Sequence, residues 1–499
     1  MDTPYTAPVG SDTGESSGVL IAGTSSDAGK SLVVTGLCRA LARRGIAVAP
    51  FKAQNMSNNS CVCGDGAEIG RAQYLQAQAA NLAPESAMNP VLLKPGSDRR
   101  AHIVLRGRPS GTLESGEYVS GRGHLAAAAF AAYDELASRF GVIICEGAGS
   151  PAEINLRAGD YVNLGLARTK RLPVVVIGDI DRGGVFASLY GTVALLDDED
   201  RQLITAFLIN KFRGDVQVLQ PGLDELARRT GVPFAGVLPW LPDVWLDAED
   251  TLAVAAWRRQ GEVAGALRVA VVRLPRLSNG TDVEALAAEA RVDVLVTTDV
   301  HSVADADLVV LPGTRSTISD LDWLRRTGLA QVIEDRVRRG APVLGICGGY
   351  QMLARVIDDS IESAYGRVAG LGVLPIKIRF AAEKVLRRPT GRWHGQQVEA
   401  YEIHHGIAEL EGDAEPFLDG WRRDQVWGTM WHGAWENDGF RRAWLAEIAA
   451  AAGSPWRPDP DAPTYRVRRE TMINTLADAV DQHVDLGVLL TGTRAAGRL

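Results

Sequence analysis

The sequence predicts an α/β protein made of two doubly wound domains, each built on a mainly parallel sheet. Short, continuously apolar runs alternate with helix-like stretches from residue 18 to about residue 242, and the alternation resumes at residue 267. Such runs are typical of strands that helices cover on both faces. The segment 246–266 is acidic and polar, and we interpret it as a linker. The predicted domains are therefore 18–245 and 267–490, flanked by a disordered tail at 1–17 and a short tail at 491–499.

Composition restricts the class of protein before any motif is considered. The chain has 499 residues, a formal net charge of −8 and no segment that concentrates Lys and Arg, so nucleic acid is not the expected partner. No apolar run is long enough to span a membrane, and residues 1–17 lack the pattern of a secretion signal. Five irregularly spaced cysteines argue against a disulfide framework. Cys61 and Cys63 have no second Cys or His pair nearby, so zinc is not expected. We expect a cytoplasmic protein with neither nucleic acid nor membrane as partner.

The individual elements follow from the same alternation. In the first domain the apolar runs predict strands at 19–22, 47–51, 142–145, 173–177, 207–210 and 236–238, with helices over 32–44 and 125–140. In the second domain they predict strands at 268–273, 293–297, 308–311 and 343–346. An amphipathic stretch at 469–484 predicts a helix that closes this domain. Ligands of such sheets bind beyond the carboxyl ends of the strands, so the residues that follow each strand are the functional candidates.

A glycine-bounded loop follows the first predicted strand and leads into the first helix. It runs from Gly23 to Ser31 and ends in Gly-Lys-Ser, an order that directs backbone N–H groups and a helix N-terminus at one phosphate chain. We expect Lys30 to neutralise phosphate charge and the Ser31 hydroxyl to bind Mg²⁺. Five residues separate Gly23 from Gly29, one more than in the usual loop, which indicates a variant subclass. A simple glycine turn is the alternative. The predicted nucleotide contacts are Thr24, Asp27, Ala28, Gly29, Lys30, Ser31 and Lys52.

Charged and polar residues follow other predicted strands at the same edge of the sheet. Glu146 and Asp65 are the candidate Mg²⁺ ligands, because Mg²⁺ bound to a nucleotide takes one or two carboxylates. We place Lys52 between the γ-phosphate and an anionic substrate. The alternatives are a helix cap for Asp65, a turn acid for Glu146 and a surface position for Lys52. The candidate substrate contacts at this edge are Gln54, Asn55, Asp179 and Arg182.

A second candidate centre follows the predicted strand at 343–346. Cys347 lies in Gly345-Ile-Cys-Gly-Gly-Tyr-Gln351, where small residues allow the sharp strand-to-helix turn that exposes a nucleophile. The helix N-terminus beneath the sulfur favours the thiolate. Backbone N–H groups of Gly313 and Gly348 are the candidate oxyanion hole. The alternative is a cysteine that only packs in the core.

A thiolate nucleophile needs a base, and two histidine positions are candidates. His432 lies before Gly433, whose small size permits close approach of a ligand. His404, followed by His405, is the rival.

The tryptophans between Trp421 and Trp456 form the densest aromatic stretch of the chain. Trp427, Trp431 and Trp435 recur at intervals of four, which we interpret as core or interface packing. A surface for a large flat ligand is the alternative.

These motifs together resemble known families. The five-residue gap in the phosphate loop is similar to that of the dethiobiotin synthetase-like ATPases, and the Gly-x-Cys-x-Gly-x-Gln turn is similar to that of the class I glutamine amidotransferases. The fusion of the two in this order resembles the cobyric acid synthase family of cobalamin biosynthesis. The segments that carry this resemblance are 51–57, 65–73, 88–95, 146–155, 179–186 and 401–404.

The resemblance implies an enzyme that uses glutamine and ATP with Mg²⁺ to amidate the b, d, e and g carboxylates of adenosylcobyrinic acid a,c-diamide. It assigns the thiolate to Cys347, the base to His432 and a substrate contact to His404. The first domain would form an acyl phosphate, and the second would release ammonia. Family members lack the Glu that usually stands two residues after the triad His, and Ala434 occupies that position here. The residue that orients His432 is therefore not assigned, with Glu436 as a secondary candidate.

Other functions remain open from the sequence. The closest alternatives are cobyrinic acid a,c-diamide synthase and, further away, CTP synthase. A partitioning-type regulatory ATPase would need a second lysine early in the phosphate loop, where Ser25 and Ser26 stand. The residues at 61–63 and His405 depart from the family pattern. The oligomeric state is also left open.

Overall fold

The computed structural model describes residues 16–96, 100–114, 122–242, 244, 265–363 and 365–498. Its first half contains a six-stranded sheet in the spatial order β12-β11-β10-β1-β9-β2, numbered along the chain. All neighbouring strands pair in parallel, as the sequence predicts, so their carboxyl ends share one edge. The strands are β1 (Gly18–Gly23), β2 (Val48–Phe51), β9 (Val142–Glu146), β10 (Val174–Asp179), β11 (Ile204–Phe212) and β12 (Phe234–Pro239).

Helices cover both faces of this sheet. One face carries α1 (Lys30–Arg43) and α2 (Arg71–Ala79), which both contribute apolar residues to one buried cluster. In α1, Val33, Leu37 and Leu41 recur every four residues and are buried, which is the stripe of a helix packed on one side. The opposite face carries α3 (Gly123–Ala137), α4 (Leu164–Lys170), α5 (Val185–Leu195) and α7 (Val216–Thr230), with α6 (Asp198–Arg201) between the last two.

Residues 54–114 depart from the predicted alternation. They form a four-stranded sheet and a separate hairpin between β2 and α3. These strands escape the apolar pattern because they are short and carry polar residues among the apolar ones. The sheet contains β3 (Gln54–Met56), β6 (Val91–Pro95), β7 (Arg100–Leu105) and β8 (Arg108–Glu114), and the hairpin contains β4 (Ser60–Val62) and β5 (Glu68–Gly70).

The second half contains a seven-stranded sheet in the order β14-β13-β15-β16-β25-β24-β23. The four strands that the sequence predicts here are present and parallel, and β25 joins β16 in the same direction. Antiparallel β24 and β23 extend the sheet at one side. The strands are β13 (Leu267–Val272), β14 (Val292–Thr297), β15 (Leu308–Leu311), β16 (Val343–Ile346), β23 (Glu415–Phe417), β24 (Gly420–Arg423) and β25 (Val426–Thr429).

Two apolar clusters cover the faces of this second sheet. One contains α8 (Thr281–Ala287) and α13 (Asp438–Ala451) together with the tryptophans. Trp427 and Trp435 are fully buried, and each meets Trp444 edge to face, at ring-centroid distances of 6.0 and 5.4 Å. Their interpretation as core packing is confirmed. The other face carries α9 (Val300–Asp305), α10 (Thr317–Arg326), α11 (Leu329–Arg338) and α12 (Gly348–Met352).

A further sheet, with both parallel and antiparallel pairs, lies beside the second domain's parallel strands. It places His404 and His405 on a strand that pairs with the long β19. The sheet contains β17 (Val356–Asp359), β18 (Gly366–Ala369), β19 (Ile376–Arg387) and β22 (Glu402–Leu410), and a hairpin of β20 (Thr390–Trp393) and β21 (Gln396–Glu399) adjoins it in sequence.

The helix predicted at 469–484 is present, but its predicted location on the second domain is wrong. Helix α14 (Tyr465–His483) buries Met472, Ile473 and Val480 in the cluster that also contains α1. Ion pairs such as Arg39 Nη1–Glu470 Oε2 (2.9 Å) border this contact. The chain therefore returns to the first half, where α15 (Leu486–Leu489) follows. Amphipathicity shows that a helix has an apolar face and does not show which domain covers that face.

The chain ends differ in part from the expected tails. The predicted disordered tail at 1–17 includes Ser16, which is described and whose N–H donates to the Gly492 carbonyl at 2.8 Å. Ser16 also pairs with Thr493, so residues of both predicted tails are ordered. Residues 1–15, and most of the predicted linker (246–264), lie outside the described residues. Among the described helices, none has both the length and the apolar character needed to cross a bilayer.

The β4–β5 hairpin joins the two halves. Cys61 and Val62 form a small apolar cluster with Tyr401 and Ile403 of the second half. Burial raises the pKa of the neighbouring Cys63 thiol well above its usual value. Cys61 is therefore part of the contact between the halves, whereas Cys63 packs with Ala67 and Ile69 of the first half.

A buried ion cluster reinforces this contact. Glu68 is fully buried, and its carboxylate pairs with Lys94 of the first half at 2.5 Å and with Lys384 of the second half at 2.7 Å. The Ser60 hydroxyl also donates to Glu68 at 2.8 Å. Burial alone would raise the pKa of Glu68, but the two lysines hold that pKa well below its usual value.

A glycine in the contact between α1 and α14 and a glycine on an open helix face should respond in opposite ways to substitution by alanine. A Cβ at Gly36 would lie 2.9 Å from both the Leu476 carbonyl oxygen and Val480 Cγ2, whereas a Cβ at Gly191 of α5 would meet no atom within 4 Å. Gly36→Ala should lower the free energy of unfolding by about 1–3 kcal/mol through overpacking. Gly191→Ala should raise it by about 0.5–1 kcal/mol, because alanine is the better helix former. Urea unfolding of both variants checks this, and a stabilised Gly36→Ala protein would contradict the described packing.

Candidate active site

The phosphate loop has the shape that its glycines predict. Gly29 adopts φ 96°, a left-handed conformation that favours glycine. A Cβ at this position would lie 2.0 Å from Asn210 Nδ2, so only glycine fits beside that side chain. Lys30 Nζ donates to the carbonyl oxygens of Ser25 at 2.9 Å and Gly149 at 3.2 Å, which holds its ammonium inside the loop.

Glu146 is the centre of a buried network next to this loop. It lies at the end of β9 and is fully buried. Its Oε1 accepts from the Ser31 hydroxyl and from Lys52 Nζ, both at 2.8 Å, and its Oε2 accepts from Gln76 Nε2 at 2.5 Å. The structure therefore brings three sequence-predicted residues together and adds Gln76. No pattern in the sequence singled out Gln76, because it lies on a helix face and not after a strand.

Asp65 has a different environment from Glu146. It lies exposed in the turn between β4 and β5, where its carboxylate accepts the Ala67 N–H at 2.9 Å. This contact stabilises the turn of the hairpin, and Asp65 is therefore not the helix cap that was its alternative. The geometry therefore favours Glu146 over Asp65 as a ligand of a nucleotide-bound metal.

An apolar cavity adjoins the phosphate loop. The Asn210 side chain donates to the Ala28 carbonyl at 3.0 Å, and Lys211 donates to the Asp27 carbonyl at 2.7 Å, so β11 supports the loop from one side. The cavity continues from these residues along Leu32, Leu238, Trp240 and Leu476. A flat apolar group attached to the phosphates would fit there.

The four candidate substrate contacts of the first half differ in how far they are exposed and in which protein groups they contact. Gln54 and Asn55 are buried, and they accept from or donate to protein groups: Tyr161 donates to Gln54 at 2.5 Å, and Asn55 donates to Gln73 at 3.0 Å. Asp179 pairs with Lys211 at 2.7 Å. Arg182 is 75% exposed in its side chain and lies at the open edge of the sheet.

The arrangement fits a nucleotide with Mg²⁺. Gly29, Lys30 and Ser31 form a phosphate cradle, and the Ser31 hydroxyl with the Glu146 carboxylate is an oxygen pair of the kind that Mg²⁺ prefers. Within the described ranges, no group of three or more His, Cys, Asp or Glu side chains could hold a metal by itself. A metal at Ser31 and Glu146 would therefore share the oxygens of the nucleotide.

In the second half, Cys347 has the geometry of a nucleophile on a sharp turn. It follows β16 directly, with φ 49° and ψ −110°, and α12 begins at the next residue. A non-glycine residue in this left-handed region is strained and is held there by its surroundings. Its N–H donates to the Thr429 carbonyl at 2.8 Å, and its carbonyl accepts from Gln351 at 2.9 Å. The backbone strain at Cys347 agrees with the predicted turn.

The glycines around the cysteine are required by close contacts. A Cβ at Gly348 would lie 2.6 Å from Thr314 Cγ2, and a Cβ at Gly313 would lie 3.2 Å from His432 Cε1. The loop after β15 therefore approaches both the turn and the imidazole. This approach supports Gly313 and Gly348 as candidates for the oxyanion hole.

His432 is fixed beside Cys347 by pairing of adjacent strands. It follows β25, which pairs in parallel with β16, so both residues lie at the carboxyl edge of the second sheet. The backbone of His432 exchanges hydrogen bonds with Tyr401 at 2.9 and 3.0 Å, and the two rings stack with centroids 5.4 Å apart.

Asp282 is the residue that orients His432, and the sequence analysis missed it. Its Oδ2 lies 2.6 Å from His432 Nδ1, and its Oδ1 accepts the Gly433 N–H at 2.8 Å. Both side chains are about 1% exposed. The secondary candidate Glu436 instead pairs with Arg71 at 2.5 Å and Arg469 at 3.1 Å. An acidic residue in the first turn of the helix after β13 was the available signal, since that helix begins at the same sheet edge.

The charges around His432 stabilise its imidazolium form. Burial alone would lower the pKa of His432, but the Asp282 carboxylate and the Cys347 sulfur raise it to about 10. His404 lies nearby, and burial lowers its pKa to about 4, so it is neutral at physiological pH. The Cys347 sulfur lies against the protonated ring. These environments support His432, and not His404, as the base.

The cavity at Cys347 is lined by residues of both halves. His404 and His405 line it, and Nε2 of His404 has no hydrogen-bond partner among the described residues. Asn58 and Lys94 of the first half also line it. Burial lowers the pKa of Lys94 to about 8 against the opposing effect of Glu68. The site is therefore closed on one side by the domain that carries the phosphate loop.

The Asp282 contact predicts a large change in the titration of His432. Asp282→Asn should lower the pKa of His432 from about 10 toward its ordinary value of about 6.5, because the charge that stabilises the imidazolium is removed. NMR titration of protein labelled at its histidine rings measures this shift. Glu436→Gln is the matched control and should leave that pKa close to the wild-type value. An unchanged His432 titration in Asp282→Asn would contradict the assignment.

Comparisons with known proteins agree across both halves. Residues 19–253 match the family described as the CobQ/CobB/MinD/ParA nucleotide binding domain, and residues 268–440 match the CobB/CobQ-like glutamine amidotransferase domain. The cobyric acid synthase of Cutibacterium acnes (strain DSM 16379 / KPA171202) is 62% identical, covering 95% of this chain and 99% of its own length. Those of Mycolicibacterium gilvum (strain PYR-GCK) and Mycobacterium marinum (strain ATCC BAA-535 / M) are 57% and 53% identical, over 95% and 96% of this chain and 96% of each relative. The chain therefore belongs to the cobyric acid synthase family.

Proposed function

We propose that this chain catalyses the glutamine- and ATP-dependent amidation of the b, d, e and g carboxylates of adenosylcobyrinic acid a,c-diamide. The observation that carries the proposal is the cavity at Cys347. It contains a connected Cys347, His432 and Asp282, and its wall includes residues of the half that holds the phosphate loop. The name of the relatives supports the corrinoid substrate.

The second half would release ammonia from glutamine. The Cys347 thiolate attacks the side-chain carbonyl carbon, and the N–H groups at Gly313 and Gly348 would stabilise the resulting oxyanion. Protonated His432 gives its proton to the departing nitrogen, which leaves as NH₃ and a γ-glutamyl thioester remains. Neutral His432 then takes a proton from water, whose oxygen displaces the sulfur and yields glutamate. Asp282 keeps the same His432 nitrogen facing the reaction throughout.

An ion pair in the cavity supports glutamine as the occupant. Arg315 Nη1 and Glu362 Oε1 lie 2.5 Å apart, and both residues line the cavity with Cys347. Free glutamine carries an α-carboxylate and an α-ammonium group side by side, which match these two charges. His404 and His405 line the same space and would contact the amino-acid part of the substrate.

The first half would activate the carboxylate that receives the nitrogen. Transfer of the γ-phosphoryl group of ATP to a corrinoid carboxylate gives an acyl phosphate and ADP, and attack by NH₃ then gives the amide and phosphate. Thr24 and residues 27–31 would hold the nucleotide, and Lys52 would offset charge on the transferred group. Mg²⁺ held by Ser31 and Glu146 would neutralise phosphate charge. At the open edge, Arg182 is the best placed to meet a large substrate, because its side chain is 75% exposed. Gln54 and Asn55 are buried, and the Asp179 side chain is 8% exposed and pairs with Lys211.

Removal of the nucleophile should abolish the use of glutamine as nitrogen source without affecting the use of ammonium salts. Cys347→Ala should lose glutamine-dependent amidation by about a thousandfold or more, because no thioester forms. It should keep amidation supported by ammonium salts, because the first half is unchanged. Product amides are measured by mass spectrometry with the diamide as the expected acceptor. The fully acidic corrinoid and UTP are tested as competing acceptors. Equal loss with both nitrogen sources would contradict the division of labour, and preferred turnover of another acceptor would contradict the substrate.

Glu146→Gln provides the reciprocal control. It removes the charge that pairs with Lys52 and faces Ser31. Amidation should fall by about 10–100-fold with either nitrogen source, as expected for a metal-supporting carboxylate. Alkylation of Cys347 should stay at the wild-type rate, because the second half retains its own triad.

A further inference from the structure

Two asparagines, one in each half of the molecule, accept hydrogen bonds from the backbone of the opposite half. Each accepts from the N–H of the residue that follows the other asparagine. The Ser60 N–H donates to Asn279 Oδ1 at 2.9 Å, and the Gly280 N–H donates to Asn59 Oδ1 at 3.3 Å. Asn59 is 2% exposed and Asn279 is 3% exposed. We refer to these four residues as the asparagine clasp. A buried pair of this kind resists displacement, because parting the halves would leave backbone N–H groups without partners.

The clasp lies next to the residue that orients His432. Asp282 is three residues after Asn279, and its N–H donates to the Asn279 carbonyl at 3.1 Å, closing the turn that begins α8. One residue before the clasp, the Ser278 N–H donates to the Gly313 carbonyl at 2.8 Å. The loop that the clasp holds therefore leads into Asp282, which orients His432, and contacts Gly313 of the candidate oxyanion hole.

The backbone of this turn needs external support. Asn279 adopts φ 50°, a left-handed conformation that is uncommon for a residue with a side chain. Such conformations persist where the surroundings fix them. Here the contact of the Asn279 side chain is with the Ser60 N–H, which belongs to the other half of the molecule.

Asn59 is itself held by the first half. Its carbonyl accepts the N–H of Arg71 at 3.1 Å, at the first residue of α2. Five residues along this helix, Gln76 donates to Glu146. The clasp is therefore anchored on an element that also supports the phosphate site.

We propose that Asn59 of the first half is a positioning residue of the glutaminase centre, which fixes the 278–282 turn so that Asp282 meets His432. This inference rests on the proposed function of Cys347 and His432. If Asn59 has this role, the second half completes its hydrolytic site only when it is docked on the first half.

The test is glutamine hydrolysis by the full-length chain carrying Asn59→Ala. The loss of one buried hydrogen bond should lower kcat for hydrolysis about tenfold. The high-pH limb of the kcat profile should also move at least one unit lower, because His432 loses part of its contact with Asp282. The other groups that face His432, namely Cys347, His404 and Tyr401, are unchanged in this variant. Amidation supported by ammonium salts should stay near the wild-type rate.

Two further variants make the result specific. Asn59→Asp is not used as a rescue variant, because it would bury a carboxylate at a position that is 2% exposed. Asn279→Gly tolerates the left-handed backbone but removes the acceptor for Ser60, and it should reproduce the Asn59→Ala shift. Asn474→Ala removes an amide that accepts from Arg39 at 3.1 Å, on α14, and should leave the hydrolysis profile unchanged.

Two results would overturn the inference. One is a wild-type pH profile for hydrolysis in both Asn59→Ala and Asn279→Gly. The other is an equal loss of hydrolysis and ammonium-supported amidation in both, which would make the clasp a purely structural contact. Failure of the proposed function is distinguishable from both, because the wild-type chain would then hydrolyse no glutamine.

Discussion

The fully buried carboxylate of Glu68 determines how the two halves meet. An ionised carboxylate out of contact with water is costly, and here a lysine from each half, with the Ser60 hydroxyl, offsets that cost. Removing one partner of a buried pair typically costs about 3–5 kcal/mol, so this cluster strongly favours a single docked arrangement. Because Lys94 and Lys384 also line the cavity at Cys347, the same contact shapes the space into which the released nitrogen would emerge. The ion cluster that joins the halves and one wall of this cavity are thus one structural feature.

Parallel pairing of strands explains why each chemical centre forms. Parallel strands end at a common edge, so residues distant in sequence meet there without any special loop. At the first sheet this brings Ser31 to Glu146, and at the second it brings His432 to Cys347. The segment 54–114 supplies Asn58 and Lys94 to the wall of the cavity at Cys347. This segment of the first half therefore contributes to the candidate site of the second half as well as to the contact between them.

The sequence predicts the parallel strands and the two motifs because each depends on local information. Continuous apolar runs and a glycine-rich turn after a strand are recognisable without any knowledge of distant contacts. The same local information misassigned α14, whose apolar face is equally suited to either domain. It also could not identify Asp282, since an acidic residue in a first helical turn is common, and only the tertiary fold brings that turn to His432. Likewise Glu68 reads as an ordinary strand-end acid until the lysines of two domains are seen around it.

We propose that nitrogen released at Cys347 is consumed inside the same molecule, and isotopic competition tests this transfer most directly. The full-length chain would be supplied with ATP, corrinoid and glutamine labelled with ¹⁵N in its side-chain amide, in the presence of excess unlabelled ammonium chloride. Mass spectrometry of the product then reports the source of each new amide. Transfer of the nitrogen within the molecule predicts that ¹⁵N enters nearly all of the new amides, whereas label diluted to the isotopic share of free ammonia would contradict that transfer.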